Sequence, residues 1–225
     1  IPDRDRAAYR VGRAAHALIL EGRETFERRY AVGGPINPRT GNPYGKTFQK
    51  FQDRAVAQGE KEVLSDAEAA TVEEMAASVA AHPLAHRLLS QGQAEGVVRP
   101  NLQEAPCQAR LDFVHEEGPE LVDLKTARNL DTFEQDFHLY HYAHQLAFYR
   151  ALVQAAGGPK LPVYVITVEK VEPFRTGTWR LGDEVLAAAA RDNAEAIAEL
   201  KACRGADTWP TRYEALRPLT LAATT

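Results

Sequence analysis

The chain has only two cysteines, Cys107 and Cys203, with no close spacing, which excludes a Cys₄ zinc site or a cysteine-ligated iron–sulfur cluster within it. No apolar run approaches the roughly 18 residues that a membrane helix needs, so no membrane association is expected. No signal-peptide pattern opens the chain, and with so few cysteines a reducing, cytoplasmic setting is the expectation. The chain starts at Ile1 rather than Met, which leaves room for residues upstream. A strong net charge is missing as well, the formal total being −4. That total hides an asymmetry, because residues 1–54 hold 11 Lys/Arg against 6 Asp/Glu and the remaining 171 hold 16 against 25. Local fields rather than totals attract a phosphate backbone. Arg4, Arg6, Arg10, Arg13, Arg23, Arg28 and Arg29, followed by Arg39, Lys46, Lys50 and Arg54, could form one basic wall, or equally a set of ordinary solvated helix faces.

What is present is enough apolar sequence for one substantial core, and 225 residues read as a single elaborated domain over 1–225. Apolar residues at helical spacing predict a helix over 4–21, with His16 beside its stripe. Phe26 to Val32 reads as a short strand. Residues 33–45, GGPINPRTGNPYG, predict a long loop, and a helix is expected over 46–58. Ser65-Asp66-Ala67-Glu68 is a capping-box sequence opening an alanine-rich helix to about Ala81, with a short helix over 83–90. Gln93 to Val98 alternates like a strand and carries Glu95.

The most informative stretch runs from Cys107 to Lys125. Alternation from Cys107 to Val114, a Glu-Glu-Gly-Pro break at 116–119 and a second apolar run from Leu121 to Leu124 predict a β-hairpin. Alternation also places Asp123 and Lys125 on one face. Carboxylates on a half-buried sheet need neutralising, which a hard divalent cation does well, and a neighbouring lysine can polarise a water or stabilise a phosphorane oxygen. An isolated Asp-x-Lys is also what a solvent-facing ion pair looks like.

Downstream, a helical turn is expected around 132–137 and a stronger helix from Tyr140 to Ala156, with Tyr142, Gln145 and Tyr149 on one face, which either packs on the sheet or touches substrate. His138, His141 and His144 invite a zinc reading, but on one helix His144 stands about 240° from His138, so the three diverge. Pro162 to Val168 reads as a buried strand paired with Thr176 to Leu181, and Asp183 to Cys203 as a last long helix ending near Gly205.

The ordered set is His16, Glu95, Asp112, Asp123-Leu124-Lys125 and Gln145-x-x-x-Tyr149. In that order it resembles the PD-(D/E)XK nuclease superfamily, in its RecB-like branch, and within it the RecE-type phage exodeoxyribonucleases. The stretches that carry the resemblance are VGRAAHALILE, FERRYAV, QAEGVVRP, QARLDFV, LVDLKTA, YHYAHQLAFYR and DTWP, spanning about residues 11 to 210.

The resemblance implies an α/β (α+β) fold, a restriction-endonuclease-like central mixed sheet flanked by helices. It implies a metal site from His16, Asp112, Asp123 and the Leu124 carbonyl, with Glu95 as ligand or supporting acid. The cofactor would be Mg²⁺, with Mn²⁺ able to substitute. Lys125 would be the catalytic lysine, acting with Asp112, Asp123 and Glu95, and Gln145 would orient it or the DNA. Arg13, Arg39, Lys46, Gln145 and Tyr149 are the candidate DNA contacts. Relatives of this type, bacterial or phage-encoded, digest linear duplex from 5′ ends as homo-oligomeric rings. They leave 3′ single strands for a RecT-like single-strand annealing protein. By that resemblance the segment that precedes the first helix in RecE-type proteins would be absent or truncated in the sequence from Ile1, and Asp123 stands where Glu is commoner. Alternatives are an endonuclease or single-strand nuclease of the same fold, although the four-cysteine cluster of Cas4-like proteins is missing, or a non-catalytic DNA-binding module.

Overall fold

The computed structural model describes residues 7–33, 59, 61–116, 118–211 and 213–216. The loop expected over 33–45 lies, beyond Gly33, outside the described residues, as does the helix expected over 46–58, and with them Arg39 and Lys46. In chain order come α1 (Ala7–Leu20), α2 (Arg23–Arg29), β1 (Tyr30–Val32), β2 (Glu62–Leu64), α3 (Asp66–Ala81), α4 (Pro83–Leu88), β3 (Gly92–Val98), β4 (Asn101–Leu102) and β5 (Ala105–Pro106). Then follow β6 (Ala109–His115), β7 (Glu120–Ala127), a 3₁₀ turn (Leu130–Thr132), α5 (Phe133–Leu139), α6 (Tyr142–Ala155), β8 (Val163–Glu169), β9 (Thr176–Arg180) and α7 (Asp183–Ala206).

The central sheet has five strands in the order β3-β6-β7-β8-β9. It is mixed, since β7 and β8 run parallel, Leu121↔Val163 through Ala127↔Glu169, while the other neighbours run antiparallel. The parallel pair reads as near-continuous apolar sequence because helices cover both of its faces. On one side Val122, Leu124, Ile166 and Val168 pack with α1, α3 and α4. On the other Leu121, Val163 and Val165 pack with α5, α6 and α7. Each fully buried Leu or Val contributes about 1.5–3 kcal/mol, against roughly 0–1 kcal/mol for an exposed ion pair. The cores therefore decide which face each strand residue takes.

The capping box forms as expected: Ser65 Oγ accepts from Glu68 N and Glu68 Oε2 from Ser65 N, at 3.2 and 2.8 Å. Two expectations need correcting. Phe26 to Val32 is not one strand, because RETFERR consists largely of helix-favouring straight chains around one buried ring, Phe26, and only Tyr30–Val32 is extended. Nor does one helix start at Tyr140, since His141 sits in the left-handed region (φ 54°, ψ 37°) and separates α5 from α6. The last helix ends at Ala206, near Gly205 as expected. No helix among the described residues is long and apolar enough to cross a membrane.

Candidate active site

Strands β6 and β7 pair from His115↔Glu120 to Phe113↔Val122, where their ladder stops. The Leu124 N–H then donates to the Asp112 carboxylate, Oδ2, at 2.9 Å. Asp112 reaches that gap because β6 changes faces beside it. Leu111 and Phe113, two residues apart, should share a face, yet Leu111 packs under α6 and α7 and Phe113 under α1 and α3. Strand β3 makes the same change, with Ala94 on the α1 side and Val98 on the other. Between them Glu95 has φ 56°, and the β3–β6 pairing leaves out only Glu95 and Asp112, which stand opposite each other, before resuming at Gly96↔Leu111. A left-handed non-glycine residue costs about 1–3 kcal/mol, which the pairing on either side offsets.

His16 approaches this gap from α1. Its Nδ1 lies 2.8 Å from the Gly12 carbonyl and its Nε2 2.7 Å from the Leu124 carbonyl. A neutral imidazole has one N–H, so a ring facing two carbonyl oxygens is the doubly protonated imidazolium. Burial opposes that charge, but the Asp112 carboxylate, 3.5 Å from Nε2, overrides it and raises the His16 pKa to about 9. The reciprocal effect holds Asp112 below the usual carboxylate range, despite burial that alone would raise it.

Asp123 is 1% exposed, and burial pushes its pKa up to about 6 against the opposing pull of Lys125. Lys125 Nζ stands 2.7 Å from Asp123 Oδ2, yet neither Asp123 oxygen has an aligned hydrogen bond, so the pair is held mainly by charge. The ammonium donates instead to Gln145 Oε1 at 3.0 Å, and Gln145 Nε2 donates to the Tyr149 hydroxyl at 2.8 Å. The Tyr142 ring lies 4.7 Å from Nζ, a cation–π contact. Burial alone would lower the Lys125 pKa, but the charges of Asp123 and Asp112 raise it, so the amine is charged.

His16, Asp112, Asp123, the Leu124 carbonyl, Lys125, Gln145 and Tyr149 thus lie in one connected set. Glu95 borders it but is engaged elsewhere, its Oε2 2.6 Å from the Arg110 guanidinium, and burial raises its pKa. Arg13 pairs with Glu62 at 2.7 Å. Among the described residues no three His, Cys, Asp or Glu side chains are gathered closely enough to hold a metal ion. The carboxylates are neutralised directly, Asp112 by the imidazolium and Asp123 by the ammonium. The donor set still fits a hard divalent cation: two carboxylates, a main-chain carbonyl and an imidazole, with Asp123 Oδ1 buried and without a hydrogen-bond partner. To serve as a ligand His16 would have to give up its Nε2 proton, and its Nδ1 contact with the Gly12 carbonyl would keep the ring oriented.

The argument from one unbroken helix against a zinc reading of the histidine run does not hold, since the His141 and His144 ring centroids come within 5.1 Å of each other. The helix does break at His141, but His144 is held by Asp192, Nε2 to Oδ2 at 3.0 Å. Sequence reasoning missed three contributors: Arg110, Gly12 through its carbonyl, and Tyr142 as the partner of Lys125. Arg110 was findable, standing two residues before Asp112 on the same strand.

Comparison with known proteins bears on the family and the fold. The family model described as "PDDEXK-like domain of unknown function (DUF3799)" matches residues 2–218. No curated protein matches the chain in sequence. The crystal structure of a protein from Eubacterium rectale named "Putative exonuclease" superposes with a TM-score of 0.63 at 14% identity, covering 99% of this chain and 79% of that one, a likeness of fold. SSO0001 aligns with a TM-score of only 0.32 at 13% identity, over 65% of this chain and 67% of that one, too low to bear on the argument.

Proposed function

Because the chain belongs to the PDDEXK-like family DUF3799, we propose that it is a divalent-metal-dependent deoxyribonuclease that digests linear duplex DNA from its ends. The observation that carries this reading is the junction of the His16–Asp112 pair with the Asp123–Lys125 pair around the Leu124 main chain. Asp112, Asp123, the Leu124 carbonyl and deprotonated His16 would hold the ion, Mg²⁺ with Mn²⁺ able to replace it, and Glu95 would support them. When bound, such an ion polarises the scissile phosphate and activates the attacking water. Lys125, fixed by Gln145 and Tyr142, faces the negative charge that builds on the phosphoryl oxygens. Tyr149 holds Gln145 in place. Arg13, Arg39 and Lys46 are the proposed duplex contacts.

The finer reading is a 5′-to-3′ exonuclease that works as a ring and leaves 3′ strands for a single-strand annealing protein. Its support is the RecE-type order of motifs, with the name carried by the Eubacterium rectale protein. The test offers 5′- and 3′-labelled linear duplex and covalently closed duplex with Mg²⁺. Loss of the linear form alone, from 5′ ends, supports the proposal. Cutting of both forms makes the protein an endonuclease, and cutting of neither makes it a binding module. Asp123→Ala should abolish digestion and retain duplex binding; Mg²⁺-dependent digestion by that variant overturns the site assignment.

A further inference from the structure

We propose that the tip between α5 and α6, above all Tyr140, is a stacking platform for a nucleobase of the strand whose phosphate lies at Lys125. The inference rests on the nuclease reading and adds a substrate contact that the reaction chemistry does not require. Leu139 and Tyr140 are 68% and 60% exposed, two large apolar side chains adjacent in sequence at the end of a helix. Exposure of this kind alone decides nothing, but the tip is joined to the catalytic lysine by rings. The Tyr140 ring lies 5.8 Å from that of Tyr142, and Tyr142 lies 4.7 Å from Lys125 Nζ.

Behind them the tip is packed. Phe133 and Phe137 pack on Tyr142 at 6.4 and 5.9 Å, and Phe133 is itself buried against Trp179. Main-chain bonds close the turn, Tyr140 N to Asp136 O at 2.9 Å and His141 N to His138 O at 3.1 Å. The left-handed His141 separates α5 from α6 there, next to the exposed Tyr140. The series therefore grades from buried Phe133 through half-buried Tyr142 to exposed Tyr140, and its middle member touches the ammonium.

An exposed tyrosine suits a nucleobase, since every base has a π-face and stacking on an aromatic side chain does not require a particular sequence. The two ring contacts limit the separation of Lys125 Nζ from the Tyr140 ring to little more than two ring spacings. At about 3.4 Å of rise per nucleotide along one strand, the stacked base would lie within roughly three nucleotides of the scissile phosphate. In a duplex the faces of a base are covered by its neighbours, so the platform selects an unpaired or frayed end.

The experiment places 2-aminopurine at successive positions from the end of a strand and reads its fluorescence and the strand's affinity in Ca²⁺ in place of Mg²⁺. The expected result is quenching confined to one or two positions near the end. Tyr140→Ala should abolish it and weaken single-strand binding by about tenfold or more, whereas Tyr140→Phe keeps both and the thermal melt is unchanged. Unchanged quenching in Tyr140→Ala, with wild-type protein still digesting DNA in Mg²⁺, overturns the platform and leaves the nuclease reading intact. Loss of quenching in Tyr140→Phe, or a dimer lost in Tyr140→Ala with DNA binding unaltered, also overturns it. Wild-type protein that neither digests nor binds DNA removes both proposals.

Discussion

Lys125 and Asp123, two residues apart on β7, are a buried ion pair with Nζ 2.7 Å from Oδ2 on the face turned toward α6. Removing one member of such a pair leaves the other uncompensated, at a cost of about 3–5 kcal/mol. Lys125→Ala should lower the stability of metal-free protein by about that much in urea unfolding. Added Mg²⁺ should recover part of the loss, as an ion takes over neutralising Asp123. A Lys125→Ala protein as stable as wild type would contradict the pairing.

Gln145 accepts from Lys125 and donates to Tyr149, so it sets where the ammonium points. Residues that orient a metal-site group typically cost about 10–100-fold in activity when removed. Gln145→Ala should reduce kcat on linear duplex within that range. Tyr149→Phe, which deletes only the outer bond, should reduce it less.

The His16 imidazolium gives metal-free protein a defined pH dependence. Its folded pKa, about 9, lies above the ordinary value of 6.5. Its stabilisation is therefore complete below pH 6.5 and disappears as pH rises through about 9. Wild type should lose stability over that interval in denaturant titrations, and His16→Gln should show a flatter curve. Because His16 would give up a proton to serve as a ligand, Mg²⁺ binding should release one and tighten with rising pH, measurable by calorimetry in buffers of different ionisation enthalpy.

Glu169 carries the opposite sign. It is buried and accepts from Leu130 N, Arg175 N and the Arg175 guanidinium, and the hydrogen bonds from Arg175 pull its pKa down to about 2. Its contribution is present above the ordinary 4.5 and is lost as pH falls through about 2. Glu169→Gln should be less stable at neutral pH and lose less on acidification between those values, as followed by circular dichroism.

The hairpin, the buried strand β8 and the capping box were legible because alternation and turn residues are local signals, whereas the central mixed sheet was expected only from the resemblance. Gln145 and Tyr149 were legible too, since i and i+4 always share a helix face. What remained hidden depends on contacts distant in sequence. Asp112 bonding the Leu124 N–H, Arg110 capturing Glu95, and Gly12 orienting His16 each follow from how strands and helices meet. The helix break at His141 was hidden for another reason: HLYHY contains neither Gly nor Pro, the residues that usually announce such a break.

The face switch at Glu95 and Asp112 has a mechanical consequence. Strand β6 is clamped in two different hydrophobic interiors, its start in one and Phe113 in the other, with Asp112 at the crossing point. A tug on that single carboxylate is therefore transmitted to both halves of the molecule at once, so cation capture would brace the whole body of the protein and not merely one rim of the sheet.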